Sequence, residues 1–395
     1  MTFKLAVLSI DGGGIKGIVP AMILAEIELK TGKPICELFD LIAGTSTGGI
    51  LALGLTKPNQ DKTRPEFEAE ELIELYENEG KIIFQRKPEK KLGFLKQTQR
   101  DILGSILARV APSIEYPEDL FNSKYTRQGK GEIIKKYLGS TYIKEALREI
   151  LITSYITNLR MPLFFTSNPD KEQKYKEAKN FRVICEGFKM EQAALATSAA
   201  PTYFKPYALT ALNRKDPAYT LIDGGVVANN PTSIAIIEAM TSYQMKTGEN
   251  INLDEILVVS LGTGNKSSPL NIEDINNWGM VKWIEPLINM VFNGQSEVVD
   301  YQMEQLLSPK LQRNMPEKQY YRFQPQYHEV KIDPKTVSVE LSAIDVNDAM
   351  DDAREYNVQN LKAAAINFIN QEESNLDSLC KQLELLSNKR TKNAL

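Results

Sequence analysis

Ser46 stands between two close glycines in Gly44-Thr45-Ser46-Thr47-Gly48, a G-x-S-x-G pattern. Glycines at those two places permit the sharp strand-to-helix turn that exposes a nucleophilic hydroxyl. A helix beginning there would also turn its free N–H groups and its dipole toward developing negative charge. The plainer reading is a capping turn rich in Gly, Ser and Thr, since the pattern alone recurs by chance. Far downstream, Asp223-Gly224-Gly225 follows an apolar run. A carboxylate beside Ser46 could take its proton during attack on an ester. Asp-Gly is equally a strong turn signal. Histidine, the usual base of a serine hydrolase, occurs once in 395 residues, at His328. The order Ser46, Asp223, His328 is that of an α/β-hydrolase triad. Its context, Gln-Pro-Gln-Tyr-His-Glu-Val, is polar and lacks a glycine-rich turn. A surface-loop histidine is therefore expected, and direct action of Asp223 on Ser46 is favoured.

A third cluster is Asp11-Gly12-Gly13-Gly14-Ile15-Lys16-Gly17. Consecutive glycines at a strand–helix junction bare their N–H groups, and such a loop binds an anion. Gly12, Gly14 and Gly17 match the dinucleotide pattern G-x-G-x-x-G, which also wants an acid closing the second strand. Asp40 instead lies near the start of that strand, and Asp11 would crowd a pyrophosphate. An oxyanion hole fits better if the two strands are parallel neighbours, because the loop and Ser46 then end side by side. Lys16 adds positive charge there, or is a solvated first-turn residue.

These residues need a scaffold. Residues 5–10 and 39–43 read as buried strands, and 15–29 and 47–55 as the helices that follow them. That alternation predicts an α/β fold with a mainly parallel sheet. Helices are also expected over 66–79, 99–110 and 190–197, and strands over 150–156, 163–166, 219–222 and 256–261. Asn230-Pro231 suits a helix start running to residue 240. The last third reads as mainly helical, with Leu376, Leu379, Cys380, Leu383 and Leu386 on one stripe. A single domain over 1–395 is expected, its core about 3–265 and a helical elaboration over 270–395.

Composition narrows the function. The chain is 42% hydrophobic and 25% charged, with net charge −4. That excludes a disordered chain and gives no support to nucleic acid as a partner. Cys36, Cys185 and Cys380 are scattered, with no zinc spacing and no EF-hand loop, so neither metal nor cofactor is expected. The scattered cysteines, the missing signal-peptide pattern and the lack of a long apolar run predict a cytoplasmic protein, peripheral on membranes at most.

Asp-Gly-Gly-Gly-Ile-Lys-Gly, Gly-Thr-Ser-Thr-Gly-Gly and Asp-Gly-Gly, in that order, resemble the patatin-like phospholipase family. So do Ala196-Thr-Ser-Ala-Ala-Pro-Thr-Tyr-Phe204, Ser260-Leu-Gly-Thr-Gly264 and Met350-Asp-Asp-Ala353. The resemblance implies a three-layer α/β/α fold, a Ser–Asp dyad and hydrolysis of fatty-acyl esters in phospholipids or galactolipids. It matches Ser46 to the nucleophile, Asp223 to the base, and Gly12, Gly13 and Gly14 to the oxyanion loop. Lys16 departs from the arginine of many members and lacks its planar fork. Two rivals remain at this point: a triad esterase using His328, and an anion- or nucleotide-binding protein using the glycine loop.

Residues 81–100, from Lys81 to Arg100, hold seven basic side chains, one acid and interleaved Ile, Leu and Phe. Such a segment suits anionic lipid head groups, or is a solvated loop with its apolar residues packed inward. If it docks on bilayers, reversing Lys87, Lys90 and Lys91 to Glu weakens binding to anionic vesicles. The loss is about 1 kcal/mol or more for each residue at the surface. Added salt acts the same way on the wild type, since charge is screened beyond roughly 10 Å at 0.1 M. Hydrolysis of a soluble short-chain ester stays near wild type. Vesicle sedimentation that is unchanged in the triple variant assigns docking to another surface.

Overall fold

A computed structural model of the chain describes residues 3–86, 123–210, 219–266, 272–308, 318–327 and 346–394. Its centre is a nine-stranded sheet. The strands of its first half are β1 (Leu5–Ile10), β2 (Leu41–Gly44), β3 (Glu149–Ile156), β4 (Met161–Thr166) and β5 (Arg182–Ile184). The others are β6 (Tyr207–Leu209), β7 (Tyr219–Asp223), β8 (Ile256–Leu261) and, after the small outlying β9 (Asn265–Lys266), β10 (Tyr320–Phe323). The main path runs β10-β8-β1-β2-β3-β4-β5, with β7 on β3 and β6 on β7. From β10 to β3 every neighbour is parallel.

The central strands are apolar almost throughout because both sheet faces are covered. Leu8 and Ile10 of β1 point to one face, where α1 (Ile18–Thr31), α2 (Thr47–Thr56) and α3 (Ala69–Glu77) pack. Val7 points to the other, against Ala235, Ile236 and Ala239. The three-layer α/β/α arrangement expected above is the one observed.

β3 sets the site. Gly44 of β2 pairs with Ile152, and Asp223 of β7 pairs with Ser154. β4 fills the opposite edge of β3 over residues 151–156. So β2, running parallel, and β7, running antiparallel, lie end to end along one edge. They meet at Thr153, and the residues that follow each strand are brought together there.

Most expected elements are present, with informative exceptions. The helix expected over 15–29 is a 3₁₀ turn, Gly14–Gly17, followed by α1. Gly14 has φ 63°, outside the α-helical region, and the N–H of Ile15 donates to the Met350 carbonyl, so the chain enters α1 through this tighter turn. The helix after Asn230-Pro231 begins at Thr232, with Asn230 Oδ1 accepting its N–H at 3.0 Å, and runs to Thr247. The C-terminal third is not all elaboration, since its strand β10 joins the sheet beside β8. The helix expected over 99–110, most of the basic segment and His328 lie outside the described residues. Within that segment, Ile83 is buried and Phe84 half-buried.

Arg322 on β10 reaches over β8 to the end of β1. Its Nη1 donates to Ser260 Oγ at 2.9 Å, and its Nη2 pairs with Asp11 Oδ2 at 2.7 Å. Burial pushes the Asp11 carboxyl up, opposed by the Arg322 guanidinium. Removing one partner of a buried pair strands the other charge, which typically costs about 3–5 kcal/mol. Arg322→Met should lower stability by about that much in urea titrations, while the double change Asp11→Leu, Arg322→Met should cost less.

Candidate active site

Ser46 occupies the single residue between β2 and α2 after Thr45, with φ 52° and ψ −119°. Positive φ in a non-glycine residue costs on the order of 1–3 kcal/mol and persists only when its surroundings enforce it. They do so here. Thr45 Oγ1 bonds to Thr153 Oγ1 at 2.7 Å and to the Ala228 carbonyl at 2.6 Å. The Ser46 N–H donates to Thr197 Oγ1 at 2.8 Å. A Cβ on Gly48 would stand 2.2 Å from the Ile10 carbonyl oxygen, so only glycine lets α2 start this close to the end of β1.

Ser46 Oγ donates to Asp223 Oδ2 at 2.7 Å. Asp223 Oδ1 accepts the N–H of Gly225 at 2.8 Å. Both carboxylate oxygens are thus engaged, and no imidazole stands between serine and acid. Asp223 is fully buried. Burial pushes its carboxyl up to about 6, against the opposing pull of the Gly225 N–H, the Ser46 hydroxyl and the Lys130 charge. The N–H groups of Asp223 and Gly224 donate to the carbonyls of Ala199 and Thr197. The Asp-Gly-Gly stretch therefore ends its strand as a buried, fully bonded turn beside the serine.

The glycine loop lies against this pair: a Cβ on Gly12 would stand 3.3 Å from Ser46 Cβ. Its donors are not equivalent. The Gly12 N–H is taken by the Asn229 carbonyl at 3.1 Å. Among the described residues, the N–H groups of Gly13, Gly14 and Thr47 have no protein acceptor. The Gly12 carbonyl is held by Thr263 Oγ1 and Asn229 Nδ2. Asp11 anchors the loop through Arg322. Lys16 is buried rather than solvated, its Nζ 3.5 Å from the Gly264 carbonyl, and burial pushes its ammonium down. Gly17 packs on Thr47, whose hydroxyl bonds to Tyr76 at 2.6 Å.

Ser46 opens on a cavity of about 50 Å³ with apolar walls, among them Ile50, Leu75, Ile83, Phe84, Phe204 and Met350. Lys130 also lines it. Ile83 and Phe84 of the basic segment thus pack inward here. Among the described residues, no group of three His, Cys, Asp or Glu could hold a metal, and no helix is long and apolar enough to cross a membrane.

A family model described as patatin-like phospholipase matches residues 8–236. The chain belongs to the patatin-like phospholipase family. It is similar to Patatin-like protein 1 of Oryza sativa subsp. indica, 30% identical over 319 residues, 75% of this chain and 69% of that one. It is also similar to Patatin-like protein 2 of Arabidopsis thaliana, 31% identical over 317 residues, 75% and 70%. Another relative, from Solanum tuberosum, is named "Probable inactive patatin-3-Kuras 1" (31% identical, 75% of this chain and 72% of that one). The family supports lipid acyl hydrolysis in general. The name of that last relative makes the site residues, rather than membership, the ground on which activity has to be argued.

Thr153, Thr197, Asn229, Lys130 and Arg322 were not singled out as site residues from the sequence. Thr197 lies in the family-like Ala-Thr-Ser-Ala-Ala-Pro stretch, which was the available signal. Lys130, in Arg-Gln-Gly-Lys-Gly-Glu, reads like any exposed helical lysine.

Asp223 also has a stability signature. Its folded-state carboxyl lies near 6, above the ordinary 3.8. The folded form therefore binds a proton more tightly than the unfolded one, and the chain loses stability as pH rises from about 4 through about 6. An amide keeps the acceptor for Gly225 and never ionises. Asp223→Asn should thus match the wild type near pH 4 and exceed it at pH 7.5 by on the order of 2–3 kcal/mol. Denaturant titrations at the two pH values test this. An equal gap at both would mean that Asp223 titrates normally.

Proposed function

We propose that this protein is a lipid acyl hydrolase in which Ser46 is the nucleophile and Asp223 its general base, cleaving fatty-acyl esters of phospholipids or galactolipids. The observation that carries this reading is the direct 2.7 Å hydrogen bond from Ser46 Oγ to Asp223 Oδ2. Ser46 Oγ attacks the ester carbonyl while its proton passes to Asp223 Oδ2. The carbonyl oxygen becomes an oxyanion facing the free N–H groups of Gly13, Gly14 and Thr47. One such donor typically supplies about 2.7–4 kcal/mol. The C–O bond to the alcohol then breaks, and Asp223 returns the proton to the departing alkoxide. A water gives a proton to Asp223 and attacks the acyl-serine. Collapse releases the fatty acid, and the proton goes back to Ser46. Gly12 keeps its N–H on Asn229 and serves the loop by its shape.

The apolar walls suit an acyl chain. Ligand-enclosing pockets run to roughly 300–1,000 Å³, so a cavity of about 50 Å³ must widen by side-chain movement as the chain enters. The triad alternative is disfavoured because Ser46 and Gly225 already occupy both oxygens of Asp223.

A serine-reactive phosphonate should label Ser46, as mapped by mass spectrometry. Ser46→Ala and Asp223→Asn should each lose several orders of magnitude in kcat on a short-chain ester, with His328→Ala close to wild type. The wild-type kcat/KM should fall as pH drops through about 6, where Asp223 takes up its proton. Loss of activity in His328→Ala, in a folded protein, would replace the dyad by a triad.

A further inference from the structure

Lys130 is a buried cation without a carboxylate within ion-pair distance among the described residues. It sits in the first turn of α4 (Arg127–Leu138) and lines the cavity beside Ser46. A lone buried ammonium is expensive unless its protons find acceptors. Its Nζ donates to the Ser198 carbonyl at 2.7 Å and to Ser198 Oγ at 3.2 Å, and lies 3.7 Å from the centre of the Phe204 ring. Ser198 caps the C-terminal end of α5 (Met190–Thr197), where a cation is favoured by the helix dipole.

The turn that Lys130 grips is the one that holds both reacting residues. Thr197 Oγ1 accepts the Ser46 N–H, the Thr197 carbonyl accepts the Gly224 N–H, and the Ala199 carbonyl accepts the Asp223 N–H. Ser198 is the residue between those anchors. Lys130 is also the charged side chain whose field acts on Asp223. The other ionisable groups on elements packed against β7 are Glu149 and Tyr155 of β3, Tyr207 of β6 and Glu191 of α5, and none contributes there. At Lys130 itself the charges felt are Asp223, which favours the ammonium, and Arg127, which opposes it.

We propose that Lys130 is the positioning residue of the Ser46–Asp223 pair: it clamps the Ser198 turn that bonds both residues, and its charge keeps the buried Asp223 carboxylate ionised and able to accept the serine proton. This rests on the dyad reading above. Burial pushes the Lys130 ammonium down to about 7 while Asp223 is pushed up to about 6, so each charge props up the other near neutrality. Lys130 itself exchanges no proton with substrate.

The test compares Lys130→Met, which removes clamp and charge, with Lys130→Gln, which keeps a donor for the Ser198 carbonyl but no charge. A soluble short-chain ester reports kcat/KM from pH 4.5 to 9, with thermal melting as the folding control. Both variants should move the acidic limb upward, by up to about one unit, because loss of an opposite charge disfavours the ionised carboxylate. Activity at pH 6 should fall by about fivefold for a one-unit shift and recover in part at pH 8.5. Met should also lower kcat at pH 8.5 below that of Gln, because the turn is no longer held. An acidic limb at the wild-type position in the Gln variant overturns the charge role. Equal plateau kcat in wild type, Gln and Met overturns the clamp. Phosphonate labelling of wild-type Ser46 and the loss of activity in Asp223→Asn are read in parallel. If those fail, the dyad itself is wrong; if they hold while both lysine variants behave as wild type, only the Lys130 proposal falls.

Discussion

The organisation of the site follows from one edge of β3. Two strands share that edge end to end, β2 from one direction and β7 from the other, and Thr153 marks the changeover. Because the strands oppose each other in direction, each ends where the other ends. The residues leaving them, Thr45-Ser46 and Asp223, are pressed together without a long loop. The Thr45–Thr153 hydroxyl contact then fills the gap between the two ladders. An all-parallel sheet would send successive C-termini along one rim as neighbours and would not point two of them at each other. The direct serine–carboxylate contact is therefore a product of topology before it is a product of side-chain choice.

Burial sets the character of that contact and also makes it costly. A carboxylate withdrawn from water resists ionisation, and burial lifts Asp223 to about 6, which suits the role of base proposed for it. Left alone it would be lifted further and lose its charge. The structure answers with a backbone N–H, a serine hydroxyl and the Lys130 ammonium rather than with an abutting arginine. A close ion pair would hold the carboxylate ionised but make it a poor proton acceptor. Asp11 shows the contrasting solution. Its carboxylate meets the Arg322 guanidinium at 2.7 Å, which suits a strut and not a base.

How much of this could be read in advance depended on whether the cause was local. Ser46, the glycines around it and Asp223 were legible because turn chemistry is written in adjacent residues, as were strands whose two buried faces make an unbroken apolar run. The register that leaves β2 and β7 end to end was not legible, because pairing is a long-range choice. For the same reason Lys130 and Arg322 gave no signal, since a lysine acquires meaning only from the turn it grips. β10 was missed because Tyr-Tyr-Arg-Phe is short and carries a charge at the position that crosses to Asp11. The loop glycines were seen as a set, but only the fold separates Gly12, whose N–H is spent on Asn229, from Gly13 and Gly14, whose N–H groups are not.

The far end of the chain completes the candidate site. The family match ends at residue 236, yet three later segments touch the glycine loop or the cavity. Thr263 holds the Gly12 carbonyl, and Arg322 holds Asp11. The Met350 carbonyl accepts the Ile15 N–H and stands where a Cβ on Gly14 would lie 2.0 Å from it, so Gly14 must be glycine for that strand of chain to pass. The next residue, Asp351, accepts the Tyr125 hydroxyl at 2.7 Å and draws in Lys124 at 3.6 Å. Tyr125 lies just before α4, whose Lys130 grips the Ser198 turn. One continuous set of contacts thus runs from the C-terminal third through the loop to Ser46 and Asp223. A chain cut after the matched half would keep Ser46 and Asp223 but would lose the partners that fix the loop's N–H groups beside them.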